Sequence, residues 1–147
     1  MNTNPIIPIK MKTKFIFASM MLVLMAVFFT ACNKEKTPGE AYKIYATCLA
    51  EKNYEGYVDG VDIKTEGQTK EKIQEARSTL IGLLQLSSGE LDKKGGIKTI
   101  DVLEENINEG DTTATVKAKF TYGDGTTKEE TVEMVKRGAD WKMKSAK

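Results

Sequence analysis

The sequence predicts an α+β domain in which N-terminal helices pack on a curved antiparallel sheet of three to four strands. Before Gly95-Gly96, apolar residues recur at helical spacing. After them the period changes to alternation, and tight-turn residues such as Asp124-Gly125 separate the alternating segments. Helices followed by hairpin-linked strands favour a sheet with one face on the helices and the other in water.

The first predicted helix begins at Pro38 and runs to about Asn53. Thr37 is a suitable N-cap, proline is favoured at the first helical position, and Glu40 completes a capping box. Apolar residues then recur with helical spacing: Ala41, Ile44, Tyr45, Cys48 and Leu49. A short second helical turn is expected at about residues 54–58.

A longer helix follows, with either the Thr65–Gln68 pair or Thr69 at its start. The helix ends at Lys93-Lys94-Gly95-Gly96, where glycines stop it. Its apolar stripe is wide, so we expect this helix to lie against a broad surface. The stripe consists of Ile73, Ala76, Leu80 and Leu84, with Ile81 and Leu83 beside them.

Four strands are predicted after the glycines, at about Ile97–Ile107, 113–122, Thr126–Lys136 and a short segment around Trp141 and Met143. The second strand alternates most regularly, so its apolar side faces the helices, and a slip of one residue would expose that whole side. Its apolar side holds Ala114, Val116, Ala118, Phe120 and Tyr122. The small Ala114 and Ala118 favour close packing of the long helix, with room for a ligand as the alternative.

The opposite side of the strands is basic. We expect a solvated face on which Glu129 and Glu133 form cross-strand charge pairs with lysines. The alternative is a docking face for an acidic partner or a glycan. The lysines concerned are Lys117, Lys119, Lys142 and Lys144.

The N-terminal segment predicts export and lipidation at Cys32. Lysines up to Lys14 precede an uncharged run that is too short to span a membrane comfortably. A small residue, Ala31, then comes directly before the cysteine, as in bacterial lipoprotein signals, although Phe29 stands where leucine is common. We therefore predict a signal peptide at 1–31, whose true start is either Met1 or Met11, a lipidated tether at 32–37 and the α+β domain at 38–147.

The predicted location is the bacterial cell envelope, with the lipid on Cys32 anchoring the protein to the outer membrane. Periplasmic-facing and surface-facing placements both stay open. The alternatives are an ordinary secretory signal cut near Ala31, which leaves the cysteine unmodified, and an uncleaved anchor.

Composition excludes several function classes. The signal holds three of the 22 basic residues and none of the 21 acidic ones, so the remaining chain has 19 basic against 21 acidic residues. Without a basic excess, nucleic acid is not an expected partner. The chain has no histidine, and Cys48 is the only cysteine besides Cys32. We expect no metal site, no cofactor and no internal disulfide, and we interpret Cys48 as a small buried apolar residue.

The strand region resembles a known superfamily. The segments Val116–Tyr122, Asp124-Gly125-Thr126, 132–136 and Gly138–Met143 resemble small Bacteroidetes lipoproteins that carry a domain of unknown function. That domain is of the nuclear-transport-factor-2-like, or cystatin-like, superfamily. The resemblance implies a curved sheet wrapped around helices as a cone with an apolar cavity. Some members are enzymes, such as ketosteroid isomerases and scytalone dehydratases, and others only bind, dimerise or transport.

An isomerase of this kind would need a carboxylate base and a tyrosine or protonated acid in the cavity. The predicted apolar strand positions offer no carboxylic acid, so Asp101 and Glu104 in the less regular first strand are the best candidates. The dehydratase type relies on histidine, which is absent. The aromatic residues that suit a pocket or its rim are Tyr45, Tyr57, Phe120, Tyr122 and Trp141.

The sequence therefore favours a lipid-anchored, non-catalytic module that binds a protein or a small apolar ligand. One alternative is a small acid/base enzyme acting on an apolar ligand inside the cone. The other is a dimeric accessory subunit of an envelope complex, with the open sheet face as a homodimer interface.

Overall fold

Residues 35–145 are described by the structure, which is a computed structural model. The predictions on the signal peptide, on its start at Met1 or Met11 and on Cys32 lie outside these residues. The elements, in order, are α1 (Pro38–Ala50), α2 (Tyr54–Asp59), β1 (Val61–Asp62), α3 (Lys70–Lys93), β2 (Ile97–Ile107), β3 (Thr113–Tyr122), β4 (Thr127–Arg137) and β5 (Asp140–Lys144).

The five strands form one sheet in the order β1-β5-β4-β3-β2. Strands β2 to β5 pair with one another in antiparallel fashion, and β1 pairs with β5 in parallel. The predicted α+β class, with helices on a curved antiparallel sheet, is confirmed. The strand number is five rather than three to four, because β1 contributes only two residues and is too short to produce an alternating pattern in the sequence.

Helix α1 begins as its sequence predicts. The Thr37 hydroxyl accepts from the backbone N–H of Glu40, and the Glu40 side chain accepts from the backbone N–H of Thr37, which completes the capping box. The helix ends at Ala50 rather than near Asn53, because Lys52 takes a left-handed φ of 59°. Asn53 instead caps α2, accepting from the N–H of Gly56 at 3.0 Å.

The core lies between α1 and the inner face of the sheet. The regular side of β3 is buried as predicted, and α1 contributes Ala41, Tyr42 and Ala46 to the same cluster. Ala114 and Ala118 are 1% and 0% exposed, so their small side chains serve close packing. The helix that packs there is α1, and the expectation that the long helix would do so is wrong.

A β-bulge in β2 changes which side chains face the helices. The pairing with β3 shifts between Val102 and Glu104, which leaves Leu103 as the extra residue and brings Glu105 opposite Val116 on the inner side. The Glu105 carboxylate accepts from the Thr37 hydroxyl at 2.9 Å and from the N–H of Gly39 at 2.8 Å. The bulge explains why this strand alternates less regularly than β3.

Helix α3 lies outside the core. It begins at Lys70, with Thr69 as the N-cap, and none of its 24 residues is buried. The expectation of a broad contact surface is therefore wrong, and Leu83, beside the predicted stripe, is 57% exposed. The reason is that α1 already covers the sheet, so α3 packs mainly on α2, while Leu91 touches the core. Within residues 35–145, no helix is both long and apolar enough to cross a membrane.

The outer face of the sheet carries the predicted charge pairs. Lys117 lies 2.9 Å from Glu129 and Lys144 lies 2.6 Å from Glu133. All four side chains are well exposed, so these pairs hold the charged face in a solvated arrangement and contribute little to stability.

Replacing Glu105 should destabilise the domain. Glu105→Ala removes the acceptor of two donors at the N-terminus of α1 and its favourable charge there, which should lower the free energy of unfolding by about 1 kcal/mol. Glu104→Ala is the matched control, because Glu104 lies in the same strand on the outer side. Urea unfolding of both variants measures the difference, and equal stabilities would contradict the role given to Glu105.

Candidate functional site

The aromatic residues predicted to line a pocket lie in or against the core. Phe120, Tyr122 and Trp141 are 4%, 6% and 4% exposed. Tyr45 and Tyr57 are half-buried and pack on that cluster. Their proximity to one another follows from the predicted helix and strand faces, and their role at a pocket rim stays a prediction.

Three of these aromatic rings have a lysine above them. Lys94 lies 4.7 Å from the ring centre of Tyr122, and the matching distances are 5.9 Å for Lys136 over Trp141 and 5.5 Å for Lys142 over Tyr45. Such contacts attract a cation to the ring face. Each of these lysines therefore contacts an aromatic residue that lies in or against the core.

The two carboxylates predicted as catalytic candidates do not lie inside the domain. Asp101 and Glu104 are exposed, and they lie opposite Lys119 and Lys117 on the outer face of the sheet. The acid/base enzyme hypothesis was based on these two carboxylates, and it therefore loses its predicted catalytic groups.

Sequence reasoning missed another carboxylate, that of Glu130. Glu130 is paired with Ala118 in the sheet and follows the same side of β4 as Val132 and Met134. The hydroxyl of Tyr42 donates to Glu130 Oε1, and Lys128 Nζ lies 3.3 Å from Glu130 Oε2. Extending the predicted alternation of β4 two residues back from Val132 would have found it.

Two tyrosines are electrostatically coupled to Glu130. Burial raises the pKa of Tyr42, and its hydrogen bond to Glu130 and the charge of that carboxylate raise it further. Burial also raises the pKa of Tyr57, with the Glu130 charge as the second cause. Both phenols therefore stay neutral near pH 7. A carboxylate can accept a proton and a neutral phenol beside it can donate one, and the Glu130 side chain is 37% exposed.

A groove runs between α3 and the β1–β5 edge of the sheet, and it consists of two adjoining cavities. One has a volume of about 610 Å³ and is lined largely by charged residues, among them Asp62, Arg77, Arg137 and Lys142. The other has a volume of about 600 Å³ and a more apolar lining, in which Ala76 and Leu80 take part. Both cavities share Ile63, Lys64 and Ile73, so they lie side by side, and together they are called the groove.

Ion pairs fix the walls of the groove. Arg137 donates to both carboxylate oxygens of Asp62, at 2.8 and 2.7 Å, and this hydrogen bonding holds the pKa of the Asp62 carboxyl below its usual value. Arg77 of α3 pairs with Asp59 at the end of α2. Lys142 donates to the backbone carbonyl of Asp59 at 2.9 Å. The groove is thus built from elements that these contacts hold together.

In the described part of the chain, neither Cys48 nor a cluster of metal-binding side chains forms a further candidate site. Cys48 is a free, half-buried thiol rather than a fully buried residue, and it packs towards Gly56. Residues 35–145 contain no group of three or more cysteine or acidic side chains that could hold a metal ion.

Comparisons with known proteins identify the fold. No family model matches the chain, and no curated protein matches it. Among solved structures, one described as an NTF2-like transpeptidase from Campylobacter jejuni has a TM-score of 0.64 and 15% identity, covering 76% of this chain and 100% of that one. The fold is nuclear-transport-factor-2-like.

Weaker likenesses carry no further argument. A SEC-C motif protein from Rhodopseudomonas palustris is 16% identical with a TM-score of 0.44, covering 68% of this chain and 69% of that one. The intermembrane-space region of the chloroplast protein ARC6 is 13% identical with a TM-score of 0.34, covering 71% and 85%. The nuclear-transport-factor-2-like fold supports a cone of helices and sheet, and a fold alone does not assign an activity.

The Tyr42–Glu130 contact should behave as a coupled pair in this nuclear-transport-factor-2-like core. Glu130→Ala leaves the buried Tyr42 hydroxyl without its acceptor, which should cost about 1–3 kcal/mol. Tyr42→Phe should cost about 1 kcal/mol, and the double variant should be no less stable than Glu130→Ala alone.

Thermal unfolding of the three variants measures this coupling. Glu129→Ala serves as the control, since the Glu129 carboxylate lies on the outer face and pairs with Lys117. Additive losses in the double variant would show that Tyr42 and Glu130 do not depend on each other.

Proposed function

We propose that this protein is a lipoprotein of the bacterial cell envelope whose folded domain binds a ligand or partner without catalysing a reaction. The lipid is carried by Cys32, and the anchoring membrane is the outer membrane. The observation that carries the binding role is the groove between α3 and the sheet edge, with two cavities of about 610 and 600 Å³. Volumes of this order are typical of small-molecule sites.

The anchoring part of the proposal is supported by the sequence before residue 35 and by how the domain begins. Glu35, three residues after Cys32, pairs with Lys136 of β4 at 3.0 Å. Three residues reach at most about 11 Å when fully extended. A lipid on Cys32 would therefore hold this corner of the domain close to the membrane surface.

Binding is favoured over catalysis by the positions of the acidic groups. Asp101 and Glu104 are exposed on the outer face. Glu130 already accepts from Tyr42 and pairs with Lys128, so its carboxylate is partly satisfied within the protein. The groove, in contrast, presents polar and apolar side chains together along an open surface.

Replacing Cys32 should release the protein from the membrane. In a bacterial host that lipidates exported proteins, the full chain should label with a radioactive or alkyne fatty acid and sediment with outer membranes. Cys32→Ser should abolish the label and move the protein to the soluble envelope fraction. Cys48→Ser is the matched control and should keep both properties, because Cys48 lies within α1. An unlabelled wild-type chain would overturn the anchoring proposal.

A second candidate function rests on the Tyr42–Glu130 contact. A carboxylate beside two neutral phenols could exchange a proton next to the carbonyl of an apolar ketone. The test is deuterium incorporation from heavy water into an enolisable apolar ketone, followed by NMR. This function predicts catalysed exchange that Glu130→Gln removes and Glu129→Gln retains, whereas exchange at the uncatalysed rate with the wild-type protein excludes it for that substrate class.

A further inference from the structure

We propose that the groove binds an anionic amphiphile, namely an aliphatic monocarboxylate whose head group lies at Lys142 and whose chain runs along α3 towards Leu80. The inference names the ligand class of the proposed binding function and rests on it, but it does not depend on the lipid anchor.

The charged half of the groove favours an anion. Its lining carries four cationic side chains against two acidic ones, Asp62 and Glu66. Of the four, Arg137 is neutralised by Asp62, and Arg77 by Asp59 just outside the lining. Lys64 and Lys142 then remain against Glu66, so the lining keeps an excess of one positive charge.

Lys142 is the most suitable head-group contact. Its ammonium group has three N–H donors. It contacts the carbonyl of Asp59 at 2.9 Å and the hydroxyl of Tyr45 at 3.4 Å, and it lies 5.5 Å from the centre of the Tyr45 ring. Among residues 35–145, no carboxylate lies within ion-pair distance of it. A ligand carboxylate would supply the missing counter-charge through a charge-assisted hydrogen bond.

The second cavity, whose lining also includes Lys72 and Glu75, offers an apolar track for an aliphatic chain. Ile73, Ala76 and Leu80 are spaced three and four residues apart, so they line one side of α3. From Ile73 to Leu80 the helix rises about 10 Å, which sets the length of the apolar track. Ile63, which precedes α3, belongs to both cavities, as does Ile73. The head-group half and the chain half are therefore joined by apolar side chains.

The combination argues for one molecule with both properties. A purely apolar ligand would leave Lys142 without a counter-charge, whereas a small inorganic anion would leave the track along α3 in contact with water. A cationic amphiphile would meet the positive head-group region and be repelled. A monocarboxylate with a chain of medium length matches both halves.

Isothermal titration of the purified full chain with three decyl probes tests the head group. Decanoate, decanol and decylammonium share one chain and differ in charge, and each is used below its micelle-forming concentration. Decanoate should bind at least about tenfold more tightly than decanol, and decylammonium should bind more weakly still. Equal binding of decanoate and decanol, or no binding of decanoate, overturns the proposal without use of any variant.

Matched variants test where the head group and the chain of the ligand bind. Lys142→Gln should weaken decanoate binding about tenfold and leave decanol unchanged, whereas Lys98→Gln, an exposed residue of β2, should change neither. Leu80→Ser should weaken all probes that bind, whereas Leu86→Ser on the same helix, where Leu86 is 82% exposed, should weaken none. Circular dichroism confirms that each variant is folded, and decanoate binding that Lys142→Gln leaves unchanged places the head group elsewhere and overturns the assignment.

These outcomes separate the inference from the proposed function. If the domain binds decanol as tightly as decanoate, the binding function stands and the ligand class is wrong. If no probe binds, the groove loses its role as a small-molecule site. An unlabelled wild-type chain in the Cys32 experiment affects the anchor alone.

Discussion

The contact between Glu105 and the first turn of α1 determines where the helices lie on the sheet. The bulge at Leu103 moves Glu105 to the inner side, where its carboxylate meets the Thr37 hydroxyl and the N–H of Gly39. A carboxylate at a helix N-terminus satisfies unpaired donors and complements the helix dipole. Without the bulge, Glu105 would point to water and α1 would lose its fixed starting position.

The position of α1 has consequences for the rest of the fold. Because Ala41, Tyr42 and Ala46 fill the inner side of the sheet against Ala114 and Ala118, no space is left there for α3. The longest helix therefore packs on the outer side of α2, and the groove forms where it approaches the β1–β5 edge. The candidate binding surface is thus a by-product of core packing completed by a much shorter helix.

Strong local signals made the main elements predictable. The capping box at Thr37 and the alternation of β3 each depend on residues close together in sequence, and both were confirmed. The cross-strand pairs of Lys117 and Lys144 followed from that alternation. In each case, the physical cause acts within one element or between adjacent strands.

The features that escaped prediction depend on distant segments. Strand β1 has two residues, and only its pairing with Met143 and Lys144 makes it a strand. Glu130 was missed because a charged residue within an apolar side was assigned no role, although Tyr42, far away in sequence, provides its partner. The groove joins Ile63, Leu80 and Lys142, and no local pattern could reveal that these three residues line one surface.

The contacts at the beginning of the domain also decide how it would respond to force. Glu35 pairs with Lys136 of β4, and two residues later Thr37 donates to Glu105 of β2. A force applied to the N-terminal segment would therefore act on two strands of the same sheet before it acted on the hydrogen bonds of α1. The domain could then resist tension along its leading segment as a sheet, rather than unravel one helical turn at a time.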